Sequence, residues 1–591
     1  MIMRIPGDRQ LAALLGCVLT VMSPMTAAEN SATDTSGSAS ASVTGAAMSE
    51  TEQLRRMLAD QQRQIDELRR MLVQQSKASL TAIPGVTSGS AAPAPAAPAV
   101  SGPPATAAAP ATNIMHPNLG EVASASPVLP PGPPAPTARA FPAILPPQEP
   151  SGDSPLQLKI GSAYITPVGF MDMTAVSRST NPGSGIGTNF GSIPYGNVQT
   201  GSLTESRLSI QNSRIGARVD ALVGNMKVLG YWESDFLGQL GNPPNGGLAV
   251  TSNPYVFRLR LYWVDVTKGK FEFLAGQSWS LMTPNRKGIS PLPGDIFYSQ
   301  DVDVNYQLGL VWGRIPGYRL GYHFSDKAAL AVAFENSEPY VGGGNGGSAI
   351  TAPSAIAGIL GTQVNNGTSV ISSAALAPDI IAKLAFDPTS KFHFEVAGVE
   401  IANKIANPAS TPAFQTDTKV GGGGSINLSF ELAKNLRILT NNFWSAGGGR
   451  YIFGQAPDFI IRSNGNLSLV HSASTVTGLE YTLGKTLYYA YYGGVYIDKN
   501  MALDANGKTL IGYGPISSDG QNRSIQEITF GTNTTLVRDA KWGALNMMFQ
   551  YSYVQRDPWL VAVGAPSNAH VDMGFFNFRY TLPGAAPTLG R

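Results

Sequence analysis

From Leu156 onward, segments of about ten residues alternate apolar and polar side chains, separated by connections rich in Gly, Asn, Pro and Asp. A strand turns successive side chains to opposite faces, so this period commits each segment to a sheet with one apolar and one polar face. Phe257, Leu259, Leu261 and Trp263 alternate with Arg258, Arg260 and Tyr262. Tyr306, Leu308, Leu310 and Trp312 alternate with Asn305, Gln307 and Gly309. The same reading sets Tyr318, Leu320, Tyr322 and Phe324 against Arg319, Gly321 and His323. It sets Phe392, Phe394 and Val396 against Lys391, His393 and Glu395, and Ile426, Leu428, Phe430 and Leu432 against Asn427, Ser429 and Glu431. Near the C-terminus, Leu545, Met547, Phe549, Tyr551 and Tyr553 oppose Asn546, Gln550 and Ser552.

The polar faces carry charge, as a wet lumen requires, and aromatics gather towards the ends of the apolar faces, as interfacial girdles do. Lipid satisfies no backbone N–H, so a sheet that spans a membrane must close on itself. After position 155 the chain has 436 residues. At roughly 25–30 residues per strand and loop, that length gives about 16 strands. The expectation is an all-β, transmembrane antiparallel β-barrel of 16 or 18 strands. In the last segment Phe576, Phe578, Tyr580 and Leu582 share a face, preceded by Asp572 and Gly574. This resembles the C-terminal assembly signal of outer-membrane proteins, with the aromatics one place later and the chain continuing through Gly584–Arg591.

Composition agrees. Charged residues are 14%, below the about 25% usual in soluble domains. Lys+Arg 41 against Asp+Glu 39 gives a net charge of +2 and no electrostatic case for nucleic acid. A single cysteine, Cys17, excludes a disulfide scaffold and a cysteine-built zinc or iron–sulfur site. No apolar run of about 18 residues follows position 30, so no membrane-spanning helix is expected in the body.

Residues 1–28 have the layout of an export signal: Arg4 and Arg9, an apolar run Leu11–Met22, and Thr26-Ala27-Ala28 for cleavage after Ala28. Leu14-Leu15-Gly16-Cys17 has the form of a lipoprotein box; because the apolar run continues past it, Cys17 is read instead as a small apolar residue of that run. Residues 29–48 form a flexible segment. Residues 49–76 are expected to be a coiled-coil helix. Ser49 and Glu52 make a capping pair, and Leu54, Leu58, Gln61, Ile65, Leu68, Leu72 and Gln75 step by four and three. An amphipathic helix docked on its own chain is the other reading. Residues 77–155 form a Pro/Ala-rich linker, with 18 prolines in the 70 positions 81–150. Half extended, it would reach on the order of 100 Å.

One stretch carries a family resemblance. Ser213-Arg214-Ile215-Gly216 with Arg218, Glu233-Ser234-Asp235-Phe236-Leu237-Gly238, Arg258-Leu259-Arg260-Leu261-Tyr262 and Gly276-Gln277-Ser278-Trp279-Ser280 resemble the DcaP-like outer-membrane porins of Gram-negative bacteria. The N-terminal heptads and spacer are similar to that family's periplasmic extension. The resemblance implies a homotrimer of 16-stranded barrels in the outer membrane. It also implies passive uptake of small anionic solutes, dicarboxylates among them, through an arginine-lined constriction.

Parity gives local support. Arg258 and Arg260 share the non-apolar face, Arg214 and Arg218 share parity opposite Ile215, Ala217 and Val219, and Arg207 opposes Leu208 and Ile210. Guanidiniums in a narrow pore attract carboxylates and fork onto them. The competing reading has them hydrate the wall and pair with acidic neighbours. Glu233 and Asp235 are expected to face this ladder and set up a transverse field. Leu281–Asp303, with Arg286 and Lys287, is long enough to fold inward as a constriction or to cap the barrel outside. Val341–Pro378 is read as a mobile extracellular loop or an insertion without a role.

No G-x-S-x-G or H-E-x-x-H motif occurs, and His116, His323, His393, His471 and His570 are scattered. Gly507-Lys508-Thr509 is better read as a turn than as a phosphate loop, since Ala502 stands where that motif needs glycine. No catalytic residue, metal or cofactor is expected. The expected partners are outer-membrane lipid, small anionic solutes, further copies of the chain and, through the coiled coil, peptidoglycan or periplasmic proteins. The alternatives are a structural protein tethering the outer membrane through that coiled coil, a barrel enzyme and a secreted β-protein.

Overall fold

The computed structural model describes residues 156–583 except 239–254, 293–295, 303–305, 359, 368–372, 408–414 and 518–519. The signal, coiled-coil and linker expectations, and the tail Gly584–Arg591, lie outside the described residues.

Sixteen long strands among the described residues form one antiparallel sheet. In chain order the first eight are Ala163–Arg178, Arg214–Val223, Met226–Gly238, Val256–Lys268, Phe271–Trp279, Arg314–Ser325, Ala328–Glu335 and Asp379–Thr389. The second eight are Phe392–Ala406, Thr416–Ala433, Leu436–Ala446, His471–Leu483, Thr486–Ile497, Asn522–Asp539, Gly543–Pro558 and Ala569–Thr581. Each pairs with the next, and the last closes on the first from Phe170↔Thr581 to Arg178↔Met573. Two short strands, Leu158–Ile160 and Glu205–Ser209, extend the edges of the first. Closure leaves no bare edge to face lipid.

At one rim the connections are turns of two or three residues, with glycines such as Gly269 and Gly484 taking φ of 60° to reverse the chain. The first strand begins and the last ends at this rim. All the long connections lie at the other rim.

The outer wall is apolar. Leu259, Tyr318 and Leu320 are 50%, 61% and 54% exposed, while Arg319 between the last two is buried. Aromatic side chains cluster at the short-turn rim, with Phe271 against Tyr322 at 5.1 Å and Trp542 beneath Lys541. Among the described residues no helix is long and apolar enough to cross a membrane; strands do the crossing.

Two sequence expectations change. Glu233 pairs with Leu261 and Ser234 with Leu259, so Arg260 is an extra residue in a β-bulge. The extra residue shifts the alternation by one. Arg260, Leu261 and Trp263 all face inward, and Tyr262 is outside at 64% exposure. The second change concerns Tyr306–Trp312, which is not a wall strand. Tyr306, Leu308 and Leu310 are buried inside the barrel and Trp312 packs partly buried beside them; the Tyr306 ring lies 4.4 Å from that of Phe453, on another long connection. Period-two apolarity suits a packed loop as well as a lipid-facing strand.

Candidate functional site: the lumen and its inward loop

Ser280–Gly313 joins the fifth and sixth strands and folds into the barrel; of the two positions open to Leu281–Asp303, it takes the inward one. Wall carboxylates hold it there by its backbone. The Leu281 N–H donates to Glu335 Oε1 at 2.7 Å, and the Asn285 N–H donates to both Glu395 oxygens at 3.1 Å. The Gly288 N–H donates to Asp387 Oδ2 at 2.9 Å and the Leu308 N–H to Glu527 Oε2 at 2.8 Å. Lys383 Nζ donates to the Thr283 carbonyl at 2.6 Å. Arg286 forks onto Glu480 at 2.8 and 2.5 Å and donates to the Ile296 carbonyl at 2.6 Å. Burial pushes the Arg286 pKa down, but the Glu480 carboxylate outweighs it and the net shift is upward. A charge-assisted fork of this kind fixes both position and orientation.

Above the loop, aromatics from three connections meet. Phe190 and Tyr306 lie 6.0 Å apart, Trp312 and Phe453 5.7 Å, and Trp279 and Trp312 5.5 Å. Val341 and Val364, from the stretch read as mobile, are buried in the same core.

A ladder of charge runs along the wall formed by the first strands and the last. Arg579 Nε contacts Asp172 Oδ2 at 2.7 Å. Phe170 lies between the Arg579 and Arg214 guanidiniums, 4.3 and 5.2 Å from its ring centre. Arg214 approaches Glu233 at 3.7 Å. Arg260 bridges Glu233 at 2.6 Å and Asp235 at 2.7 Å, and Arg258 forks onto Asp235 at 3.1 and 2.7 Å. Arg314, stacked on Trp279 and Trp312, also acts on Asp235. Five guanidiniums thus share three carboxylates. The acidic anchors of the inward loop stand on strands seven, eight, nine, twelve and fourteen, across the sixteen-stranded ring.

The nine residues singled out from sequence therefore divide. Arg214, Arg258, Arg260, Glu233 and Asp235 come together in the ladder. Arg218 lies apart, forked onto Asp220 at 2.7 Å through both nitrogens. Arg207 pairs with Glu205 at 2.9 Å near the long-loop rim, with 47% of its side chain exposed. Arg286 anchors the loop, and Lys287 beside it is exposed. Arg214 and Arg260 have fully buried side chains, whereas Arg258 and Arg286 retain 12% and 24% exposure. Arg314, Arg579, Asp172 and the loop anchors were not singled out; lone charges at inward parity, as in Ile381-Ala382-Lys383-Leu384, are the signal that marks such positions. His323 and His393 face inward as expected and pair with Glu272 and Asp387, each at 2.8 Å. Gly507-Lys508-Thr509 closes a small hairpin between Asn500–Leu503 and Leu510–Tyr513. Among the described residues no three His, Cys, Asp or Glu side chains are grouped to hold a metal ion.

Asp301, at the far end of the loop, is buried against Glu527, Ser552, Gln550 and Arg178; burial raises its carboxyl to about 6 from 3.8, against the pull of its hydrogen bonds. The docked state thus binds this proton more tightly than a released loop would, so docking weakens as pH rises through about 6. Current through single barrels is expected to fluctuate more at pH 7.5 than at pH 5, and Asp301→Asn together with Glu527→Gln to remove the difference, since the two carboxyls titrate as a pair. Recordings at both pH values check this.

A closed sixteen-stranded barrel with an apolar belt and an inward loop defines the class: a transmembrane β-barrel of the outer-membrane type. Within it, the outer membrane channel DcaP of Acinetobacter baumannii shares this fold, with a TM-score of 0.50 and 15% identity over 72% of this chain and 98% of that one. An anion-selective porin from Comamonas acidovorans aligns at TM-score 0.40 and 11% identity, over 71% of this chain and 99% of that one. Pseudomonas putida OprB aligns at 0.38 and 11%, over 70% and 94%. No protein-family model matches the chain, and no curated protein matches it.

Proposed function

We propose that this protein is an outer-membrane porin through which small hydrophilic solutes, preferentially anions of the dicarboxylate type, diffuse passively. The observation that carries the reading is the inward loop Ser280–Gly313, held across the lumen from a wall where five guanidiniums share three carboxylates. A loop clamped inside a barrel narrows the path without sealing the membrane-spanning wall. A cationic side facing an acidic one sets a field across that path, and charged linings of this sort set ion preference. Arg258, Arg286 and Lys287, which keep exposure, are the side chains a passing carboxylate would touch, with Arg207 meeting it near the mouth. Arg214, Arg218 and Arg260 act through the potential and through the carboxylates they neutralise.

Short turns are periplasmic in outer-membrane barrels. The first strand starts at that rim, which supports a periplasmic position for the N-terminal extension. The resemblance of Ser213–Gly216, Glu233–Gly238 and Arg258–Tyr262 to the DcaP-like porins supports assembly as a homotrimer. Conductance of the purified full chain in planar bilayers tests the reading. Stable steps with a reversal potential on the anion side of a salt gradient are expected. A folded barrel that passes no current would end it; a cation preference unchanged by Arg258→Ala would end the arginine part alone.

A further inference from the structure

Among the described residues, seven turns join neighbouring strands at the short-turn rim, and six of them hold a lysine: Lys270, Lys327, Lys391, Lys434, Lys485 and Lys541. The seventh, Gly224-Asn225, has none, and the one acid within these turns is Asp326. A tight reversal favours Gly, Asn or Asp and makes no demand for lysine. The whole chain carries a net charge of only +2, so the lysines reflect placement and not composition. All six are exposed. Among the described residues Lys391 alone of the six has an acid within reach, Glu431 at 4.0 Å.

Where their contacts are defined, the amines stay at the outer edge of the wall. Lys541 Nζ lies 4.9 Å from the ring centre of Trp542, which is 65% exposed. Lys270 Nζ donates to the carbonyl of Phe324, an outward aromatic, at 3.0 Å. Outward aromatic side chains at a barrel rim mark the depth of the lipid headgroups. One sector of this edge also has a groove. In the outward row nearest the turns Lys268, Phe271 and Tyr322 stand side by side, with Val266, Phe273 and Leu320 in the row behind. The groove they line measures about 490 Å³, within the roughly 300–1,000 Å³ of ligand sites. Lys268 stands at its rim end, with the turns of Lys270 and Lys327 close by.

We propose that this rim binds anionic phospholipid of the periplasmic leaflet, with the lysines on the headgroup phosphates and an acyl chain in the groove. A phospholipid has the same order along its length, charge at the interface and hydrocarbon behind it. Clustered basic residues at an anionic surface are held by their summed charge, and long lysine stems let the amines reach the phosphates. A solute leaving the lumen is the other anion within range. It is less well placed, because the amines of Lys270 and Lys541 lie against outward aromatic residues. From the reading above, the proposal takes only that the short turns face the periplasm, and nothing about what the barrel conducts.

The full chain in phosphatidylcholine liposomes, doped with spin-labelled phosphatidylglycerol or spin-labelled phosphatidylcholine, tests this through the share of label immobilised at the barrel. Phosphatidylglycerol is expected to be favoured several-fold at low salt and to approach parity in about 1 M salt, where screening reaches roughly 3 Å. Lys270→Gln, Lys327→Gln, Lys391→Gln, Lys434→Gln, Lys485→Gln and Lys541→Gln together should bring the same loss. Val332→Trp, which fills the groove beside Leu320 and leaves every lysine in place, should bring part of it. Lys499→Gln with Lys508→Gln, exposed among the long connections, should bring none. Equal immobilisation of both lipids by the unaltered barrel would overturn the proposal, as would a preference that survives high salt or an equal loss on changing Lys499 and Lys508. So would a sixfold variant that shifts the reversal potential and keeps the lipid preference, since the lysines would then serve the solute. A preference unmoved by Val332→Trp would overturn the groove as its seat. Phosphatidylglycerol preference in a barrel that passes no current would leave this surface standing and remove the channel reading.

Discussion

Replacing Arg260 with alanine is expected to destabilise the barrel by about 3–5 kcal/mol, the cost of stranding buried carboxylates. Its guanidinium is fully buried between Glu233, at 2.6 Å, and Asp235, at 2.7 Å. Arg214 and Arg258 would still act on these acids, which sets the loss towards the lower end of that range. Arg260→Lys should recover only part of it, because a point charge cannot fork onto two acids at once. Adding Glu233→Gln and Asp235→Asn to Arg260→Ala should recover more, since amides carry no charge to strand. Urea titrations of the folded barrel in detergent, run as a double-mutant cycle, check the order. Selectivity should move separately: Asp235→Asn alone strengthens anion preference and Arg258→Gln weakens it.

Excising the inward loop, by joining Ser280 to Gly313 through a short Gly-Ser link, should raise single-channel conductance several-fold and shift selectivity towards cations. The second effect is the more telling. Glu335, Glu395, Asp387, Glu480 and Glu527 are now occupied by loop N–H groups and by Arg286. Without the loop they would line the lumen as open carboxylates, and Arg286 and Lys287 would be gone. Water would rehydrate the acids, so the wall should survive. Larger steps that keep their original reversal potential would show that the loop sets size alone.

The wall was legible because lipid outside and water inside impose one period on every strand. Tyr318–Phe324, Phe392–Val396 and Ile426–Leu432 were read with the correct parity for that reason. Parity places Arg260 in the lumen, where it lies, but the bulge puts its neighbours Leu261, Tyr262 and Trp263 on the faces opposite to those that parity expects. A bulge adds a residue without any change in composition. Tyr306–Trp312 alternates like a strand yet lies inside the barrel, because an apolar alternation does not say whether lipid or another loop receives it. The ladder was half legible: inward parity found Arg258 and Arg214, but their carboxylate partners depend on which strands become neighbours. The contact of Arg579 with Asp172 spans 407 positions of sequence, and no local pattern could reveal it.

That contact lies on the seam where the final strand meets the first. Until the last thirteen residues of the sheet arrive, the partial sheet has two open edges and a greasy flank, a template for aggregation. A half-made cylinder keeps unpaired backbone groups that lipid does not satisfy, so closure completes the fold. The buried Asp172–Arg579 pair then forms only at closure, because its two members stand on the strands that meet last, and before that the acid lacks this counter-ion.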